Sequence, residues 1–299
     1  MLATTFVLSS VLDAHSQWLA KQGGRRADFT GITLNDCSFV DARLQRAVFA
    51  NAILLDADLS GADLTGSTFN RADLQRARAN RADLTAAEII NAKASFAWIT
   101  DANLSESVIS DSNFQNANLS QSRFLDARIS QTTFRNAKLP KTSFQQAHLF
   151  DCDFTQAELG SANLYNARIQ LCRFYGTIAP ELNLSGARLQ SCNFTRAELA
   201  GARFQRADCS QSDFGSAELG DADFREAKLR GATFYKSVLR NARFGGAVLL
   251  LADLRGADLR GARELTQEQL SQCMTDTTTT LPNGSRGPYM RFSGAEKSR

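Results

Sequence analysis

The sequence is poor in the residues that punctuate most folds and run most enzymes. Its 299 residues include 4 prolines, 2 histidines and 2 tryptophans. So little proline beside 43% hydrophobic residues excludes a low-complexity, disordered chain. The six cysteines, Cys37, Cys152, Cys172, Cys192, Cys209 and Cys273, form no C-x-x-C pair. The chain is also far too long to need a disulfide framework, so a reducing, cytoplasmic setting is expected. No apolar run reaches bilayer length, which leaves no candidate for a membrane-spanning helix. A net charge of +3 supplies no field of one sign to attract nucleic acid or an acidic substrate. Motifs of catalysis are missing too. There is no P-loop, no G-x-G-x-x-G and no H-E-x-x-H. No Ser/His/Asp or Cys/His set can be assembled around His15 or His148. The expectation is a protein without catalytic residues, cofactor or metal.

What the chain has instead is a period of five. Stepping by five from Phe29 to Leu259 visits 47 positions, and none is charged. Of these, 22 are Leu, 16 Phe and 5 Ile, with Ala79, Ala94, Ala179 and Cys209 as the exceptions. Two residues earlier runs a second ladder of small residues, beginning Ala27, Ile32, Cys37 and Ala42. Charged residues crowd the positions between the ladders. On an α-helix a step of five advances about 140°, which would smear the bulky ladder around the surface. On a straight strand an odd step alternates between faces. A single interior therefore requires the backbone to turn once per pentad. Four right-angled turns close a coil of twenty residues, and coils stack at about 4.8 Å. The repeat count implies about twelve coils. One large and one small side chain per pentad fit a narrow tube at close-packed density.

Blocks such as Ala57-Asp-Leu-Ser-Gly, Ala62-Asp-Leu-Thr-Gly, Ala252-Asp-Leu-Arg-Gly and Ala257-Asp-Leu-Arg-Gly resemble the A-[DN]-[LF]-x-x motif of the pentapeptide-repeat family. The resemblance covers residues 27–261. It implies an all-β solenoid, a right-handed quadrilateral β-helix with Leu/Phe and Ala pointing inward. Three local departures stand out. Ala79, Ala94 and Ala179 should leave slack in the core. Ile32 and Leu182 put bulk at the small position. Pro180 removes a backbone donor, so a bulge or kink is expected near 177–182.

A stack of coils needs caps, because its ends expose apolar interior and unpaired backbone. Residues 1–26 read as an N-terminal helical cap, with Leu8, Val11, Leu12, His15, Trp18 and Leu19 on one stripe and Gly23-Gly24 ending it. The coil then runs over 27–264. Residues 265–276 read as a C-terminal capping helix, with Thr266 as N-cap, Gln269 completing a capping box, and Leu265 and Leu270 as the staple. Residues 277–299 read as an extended or disordered tail.

The twenty-residue period also aligns the outward side chains. Arg128, His148, Arg168 and Arg188 should share one column, with Phe150 and Leu171 on the same wall and Tyr165 and Tyr175 near its edges. A basic column beside exposed apolar groups is a candidate partner-binding surface. Its simplest alternative is a solvated wall partly neutralised by Asp126 and Asp151. Phe96 and Trp98 form a second exposed pair. Cys152, Cys172 and Cys192 stack twenty apart; as thiols along one wall they cannot surround a tetrahedral ion, and they read as small inward hydrophobes. Val248, Leu250 and Leu251 point outward by register, to be covered by the C-terminal cap or by a second copy of the chain.

Two functions of different class fit this pattern. One is a non-catalytic interaction or scaffold module that binds a protein partner through its walls. The other, implied by the resemblance, is a DNA mimic that binds and protects DNA gyrase. That role needs a strongly acidic wall, whereas the clearest column here is basic.

Overall fold

The computed structural model describes residues 2–298. Two compact units divide at residues 143 and 144. Both are parallel β-solenoid with a twenty-residue repeat. In the first unit, bridges join Asp28 to Val48, Val48 to Thr68 and Thr68 to Glu88; in the second, Glu158 to Ile178, Ile178 to Glu198 and Glu198 to Glu218.

Backbone accounting for one pentad explains the motif. Phe29 N–H donates to the Val48 carbonyl (2.7 Å), and Val48 N–H returns to the Ala27 carbonyl (3.0 Å). Gly31 N–H reaches the Ala50 carbonyl (2.8 Å), and Ile32 N–H closes the turn onto the Phe29 carbonyl (3.0 Å). One donor remains, the N–H of Thr30. It is met by the Asp28 carboxylate at 3.0 Å. The same local bond recurs from Thr65 to Asp63, Thr85 to Asp83, Ser105 to Asn103 and Thr195 to Asn193. Asp or Asn before the bulky residue thus satisfies the donor that the ladder leaves over.

The prolines obey the same rule. Pro140 and Pro180 both occupy the position whose N–H stays outside the ladder, and the residues that would have capped it are Lys138 and Ile178. The expected kink near 177–182 is therefore corrected. Ile178 pairs with Glu158 and Glu198, Asn183 pairs with Asn163, and the register runs through unbroken.

Each corner places one residue at positive φ. Asn51, Asp56 and Gly61 suit that conformation, but Arg71 (φ 60°), Phe96 (62°) and Leu171 (56°) share it. A Cβ costs about 1–2 kcal/mol there, a strain held by the ladder bonds on either side. At position 61 a Cβ would meet the exposed Asp41 carboxylate, which would have to turn aside.

Regular strands occur at only six places among the described residues: β1 Glu88–Ile90, β2 Val108–Ser110 and β3 Arg128–Ser130 in the first unit, and β4 His148–Phe150, β5 Arg168–Gln170 and β6 Arg188–Gln190 in the second. They span about five turns, so the expected count of about twelve coils is corrected as a measure of continuous sheet. Elsewhere single-residue bridges pin each wall, because the tight turn returns within one pentad. At the corners following β1 and β2 that turn-closing bond is replaced. Ala92 N–H donates to Ser112 Oγ (3.0 Å), and Ser112 N–H to Thr132 Oγ1 (3.4 Å). In the second unit thiols take this place: Cys152 N–H meets Cys172 Sγ at 3.5 Å, and the Cys172 thiol donates to the Gln170 carbonyl at 3.3 Å. The column of cysteines is a hydrogen-bonding device as well as a packing one.

The bulky ladder is buried throughout. Rings stack at the coil spacing, as for Phe49 on Phe69 (4.8 Å) and Phe174 on Phe194 (4.5 Å). Of the three alanines expected to leave slack, Ala79 lines an internal apolar cavity of about 20 Å³ with Ala77, Leu84, Ala97 and Ile99; Ala94 and Ala179 do not.

Helix α1 spans Leu2–Leu19. His15 is fully buried against the first coil, where its Nδ1 accepts the Ala27 N–H at 3.0 Å and its ring stacks on Trp18 at 5.4 Å. In the first coil Ala27 is buried, whereas the small positions 37 and 42 are half-buried and Ile32 is exposed. At the other end α2 spans Gln267–Ser271, with Thr266 and Gln269 forming the capping box. Leu265 and Leu270 are both buried. The stretch read as an extended or disordered tail is tied to the last coil. Thr280 bridges to Asp258, Leu281 and Ala295 are buried, and Tyr289 Oη donates to Glu296 at 3.2 Å. Asp276 accepts bonds from Thr278, Thr279 and Gly256, which hold its carboxyl at about 2.

Candidate interaction wall

Three outward positions per pentad build a wall: the residues flanking the bulky one, and the corner residue after them. In the second unit β4, β5 and β6 align His148 with Arg168 and Arg188, and Phe150 with Gln170 and Gln190. All three basic side chains are exposed. Phe150 is 45% exposed, and Leu171, on the adjoining corner column, is 49% exposed. The structure thus brings His148, Phe150, Arg168, Leu171 and Arg188 onto one face. Arg128 lies in the first unit on β3, beside Val108 of β2, and is likewise exposed.

The face has features that residue spacing did not reveal. Gln170 Nε2 donates to Gln190 Oε1 at 3.1 Å, so the amides form a rung between coils. Past Arg188 the column continues with Asp208, which pairs with Lys228 at 3.7 Å. Stacked opposite charges of this kind recur: Arg173 faces Asp153 (3.6 Å) and Arg206 faces Glu226 (2.9 Å). Arg168 and Arg188 differ. They stand one above the other with no ion pair among the described residues. Like charges in adjacent rungs repel, and the free guanidinium forks remain available to carboxylates. Only the spacing of twenty in the sequence could have flagged them.

The flanking residues sort differently. Tyr165 is exposed on the preceding wall, and Tyr175 on the following one is engaged by Arg196, which donates to its hydroxyl at 3.0 Å. Val248, Leu250 and Leu251 stay exposed, so α2 does not cover them.

Two of the inward thiols, Cys192 and Cys209, are poor nucleophiles. Burial pushes Cys192 up to about 12, and Cys209 lies well above its usual range for the same reason. Burial lowers the pKa of His15, keeping the ring neutral in its role as a hydrogen-bond acceptor. No group of three or more His, Cys, Asp or Glu among the described residues could hold a metal ion. No helix among them is long and apolar enough to cross a membrane.

A parallel solenoid wound from five-residue units, with its chemistry confined to solvent-facing rows, defines a repeat protein of the pentad class. Eight copies of the pentapeptide repeat match between residues 27 and 261, and the chain belongs to the pentapeptide-repeat family. The matched segments skip residues 179–182, around Pro180. Among solved structures, the chain is similar to HetL, described as a pentapeptide repeat protein involved in heterocyst differentiation regulation in the cyanobacterium Nostoc sp. strain PCC 7120. The identity is 24%, over 91% of this chain and 96% of that one, with a TM-score of 0.46. It is also similar to QnrB1, described as a plasmid-mediated fluoroquinolone resistance protein, at 18% identity over 59% and 81% of the two chains with a TM-score of 0.31. A pentapeptide repeat protein of the Arabidopsis thaliana thylakoid lumen matches at 21% identity over 38% and 79%, with a TM-score of 0.22. No curated protein matches the sequence.

Proposed function

We propose that the chain is a non-catalytic interaction module, and that the second unit engages a protein partner through the face carrying His148, Phe150, Arg168, Leu171 and Arg188. Arg128 on β3 is an exposed cation of the first unit, taken as a candidate contact in its own right. The observation that carries this reading is the stacked Arg168–Arg188 pair, which forms no ion pair among the described residues, while Asp208 in the next rung pairs with Lys228 and, in another column, Arg173 pairs with Asp153. An acidic patch on a partner relieves that repulsion, and Phe150 and Leu171 give it apolar anchors. Six free cysteines fit a reducing, cytoplasmic setting.

The test compares partner capture from extracts of the source cell by the native chain and by a triple variant, Arg128→Glu, Arg168→Glu and Arg188→Glu. A partner retained by the native chain and lost by the variant supports the wall. Equal recovery of every partner removes it. The competing DNA-mimic reading calls for rows of carboxylates, whereas the rows here mix cations with carboxylates. Protection of DNA gyrase from a quinolone in a supercoiling assay would replace the present proposal with that one.

A further inference from the structure

The first unit carries a second surface of different character. Its corner column reads Asp36, Asp56, Arg76, Phe96, Asn116, and the adjoining wall column reads Ser38, Asp58, Arg78, Trp98, Asn118. Both columns are polar except in one coil, where two aromatics interrupt them together. Phe96 is 53% exposed and sits at positive φ (62°), and Trp98 is 55% exposed. A large aromatic held at positive φ with half its surface in water gains little from folding, so its role is sought outside the fold.

The polar groups around the pair define what would fit. Asp56, Arg76, Arg78 and Asn80 line a groove with the two rings. Arg76 is committed: its Nε and Nη2 both hold Asp56, at 2.9 and 2.7 Å. Asn80 Oδ1 takes both donors of Thr100, the N–H at 3.3 Å and Oγ1 at 2.9 Å, which fixes the amide orientation. Its Nδ2 is therefore an unused donor. Arg78 stands in register between Asp58 and Trp98, yet Asp58 Oδ1 faces the Ser60 N–H (3.0 Å), and no ion pair forms. The groove thus offers one guanidinium outside any ion pair, one free amide donor and two aromatic faces.

We infer that this groove binds a short acidic segment of a partner protein in which a carboxylate lies next to an apolar side chain. The carboxylate meets Arg78 and Asn80 Nδ2, and the apolar group lies on Phe96 and Trp98. A nucleic acid strand would bring successive phosphates to a surface with one free cation flanked by Asp56 and Asp58. The inward side of this wall adjoins the internal cavity. Ala79, behind Arg78 and Asn80, and Ile99, behind Trp98, line the internal cavity, so the wall has room to adjust to an occupant. This site is separate from the face proposed above, and neither depends on the other.

The test is selection from a random-peptide library displayed on phage, panned on the intact chain with the Phe96→Ser, Trp98→Ser double variant as counter-selection. Recovered peptides are expected to share Asp or Glu beside an aromatic or branched aliphatic residue. Synthetic copies should bind the native chain with an affinity weakened about tenfold or more by Arg78→Glu or by Trp98→Ser. Exchanging the peptide's acid for its amide should weaken binding similarly. Circular dichroism melting of the variants checks that they remain folded, which their exposure at these positions makes expected. Peptides without acidic residues, or no enrichment over the double variant, would overturn the inference. So would equal binding by native chain and variants, or tighter Trp98-dependent binding of oligothymidylate than of any recovered peptide.

Discussion

The two units wind the same pentad into the same backbone but fill it differently. The second unit holds long runs of stacked rings. Phe154, Phe174, Phe194, Phe214 and Phe234 follow one another at 4.5–5.1 Å, and Phe204, Phe224 and Phe244 form a second run at 4.7–5.3 Å. Over residues 74–109 the first unit has no Phe at the bulky position and includes Ala79 and Ala94. The cavity opens there. At their altered corners the first unit uses Ser112 and Thr132, the second Cys152, Cys172 and Cys192. The ladder bonds set the shape, since they depend on backbone alone. Side-chain choice sets how tightly each stretch is held.

That contrast is broken most directly by deleting a ring. Phe194 packs on Phe174 (4.5 Å) and Phe214 (5.1 Å) and meets Phe204 edge-on (6.5 Å). Phe194→Ala is expected to cost about 3–5 kcal/mol. Leu84→Ala, beside the existing cavity, should cost about 2–3 kcal/mol, because fewer contacts are lost. Urea unfolding of both variants checks the order, and equal costs would show that the cavity does not loosen its surroundings.

The altered corners give the next effect. Cys172→Ser retains a group that can accept the Cys152 N–H and donate to the Gln170 carbonyl, making the second unit resemble the first. Cys172→Ala leaves a buried N–H without a partner. The alanine variant should be the less stable of the two by about 1–2 kcal/mol. A serine variant that melts below the alanine one would mean that the thiol serves only to fill space.

Smaller again is the local carboxylate bond. Asp83→Ala strands the Thr85 N–H and hydroxyl, which Asp83 accepts at 2.9 and 2.5 Å. Water can replace part of this at a half-buried site, so the expected loss is about 1 kcal/mol. Lys138→Asp is the control, because Pro140 two residues on offers no N–H. It should bring no gain in melting temperature from capping.

This last pair shows where sequence reading stopped. Periodicity alone placed Leu104 and Phe204 inside and Arg168 above Arg188, because a fixed step of twenty needs no knowledge of hydrogen bonds. Pro180 was misjudged because its effect depends on which of five N–H groups stays outside the ladder, and every pentad looks alike until donors are traced. The Gln170–Gln190 rung and the commitment of Arg76 to Asp56 escaped for a related reason. Long polar side chains choose among several neighbours, and spacing names the candidates without choosing. The tail was read as loose from its polarity, although Leu281 and Tyr289 anchor it.

The smallest expected effect runs in the opposite direction and tests the comparison from its weak side. Ala79 lies in a column with Leu59 and Ile99, both of which line the same cavity. Ala79→Val adds two methyl groups toward a space of about 20 Å³. At about 24 cal/mol per Å³ of cavity, closing it returns roughly 0.5 kcal/mol, and a β-branched side chain suits a strand-like wall. The melting temperature should rise slightly, while the same substitution at Ala179, which does not line this cavity, should lower it through overpacking. If the groove above this wall needs room to adapt, the stabilised variant should also bind the acidic peptides less tightly than the native chain does. A variant that is more stable yet binds as well would confine the role of the cavity to packing and leave recognition to Arg78, Asn80, Phe96 and Trp98 alone.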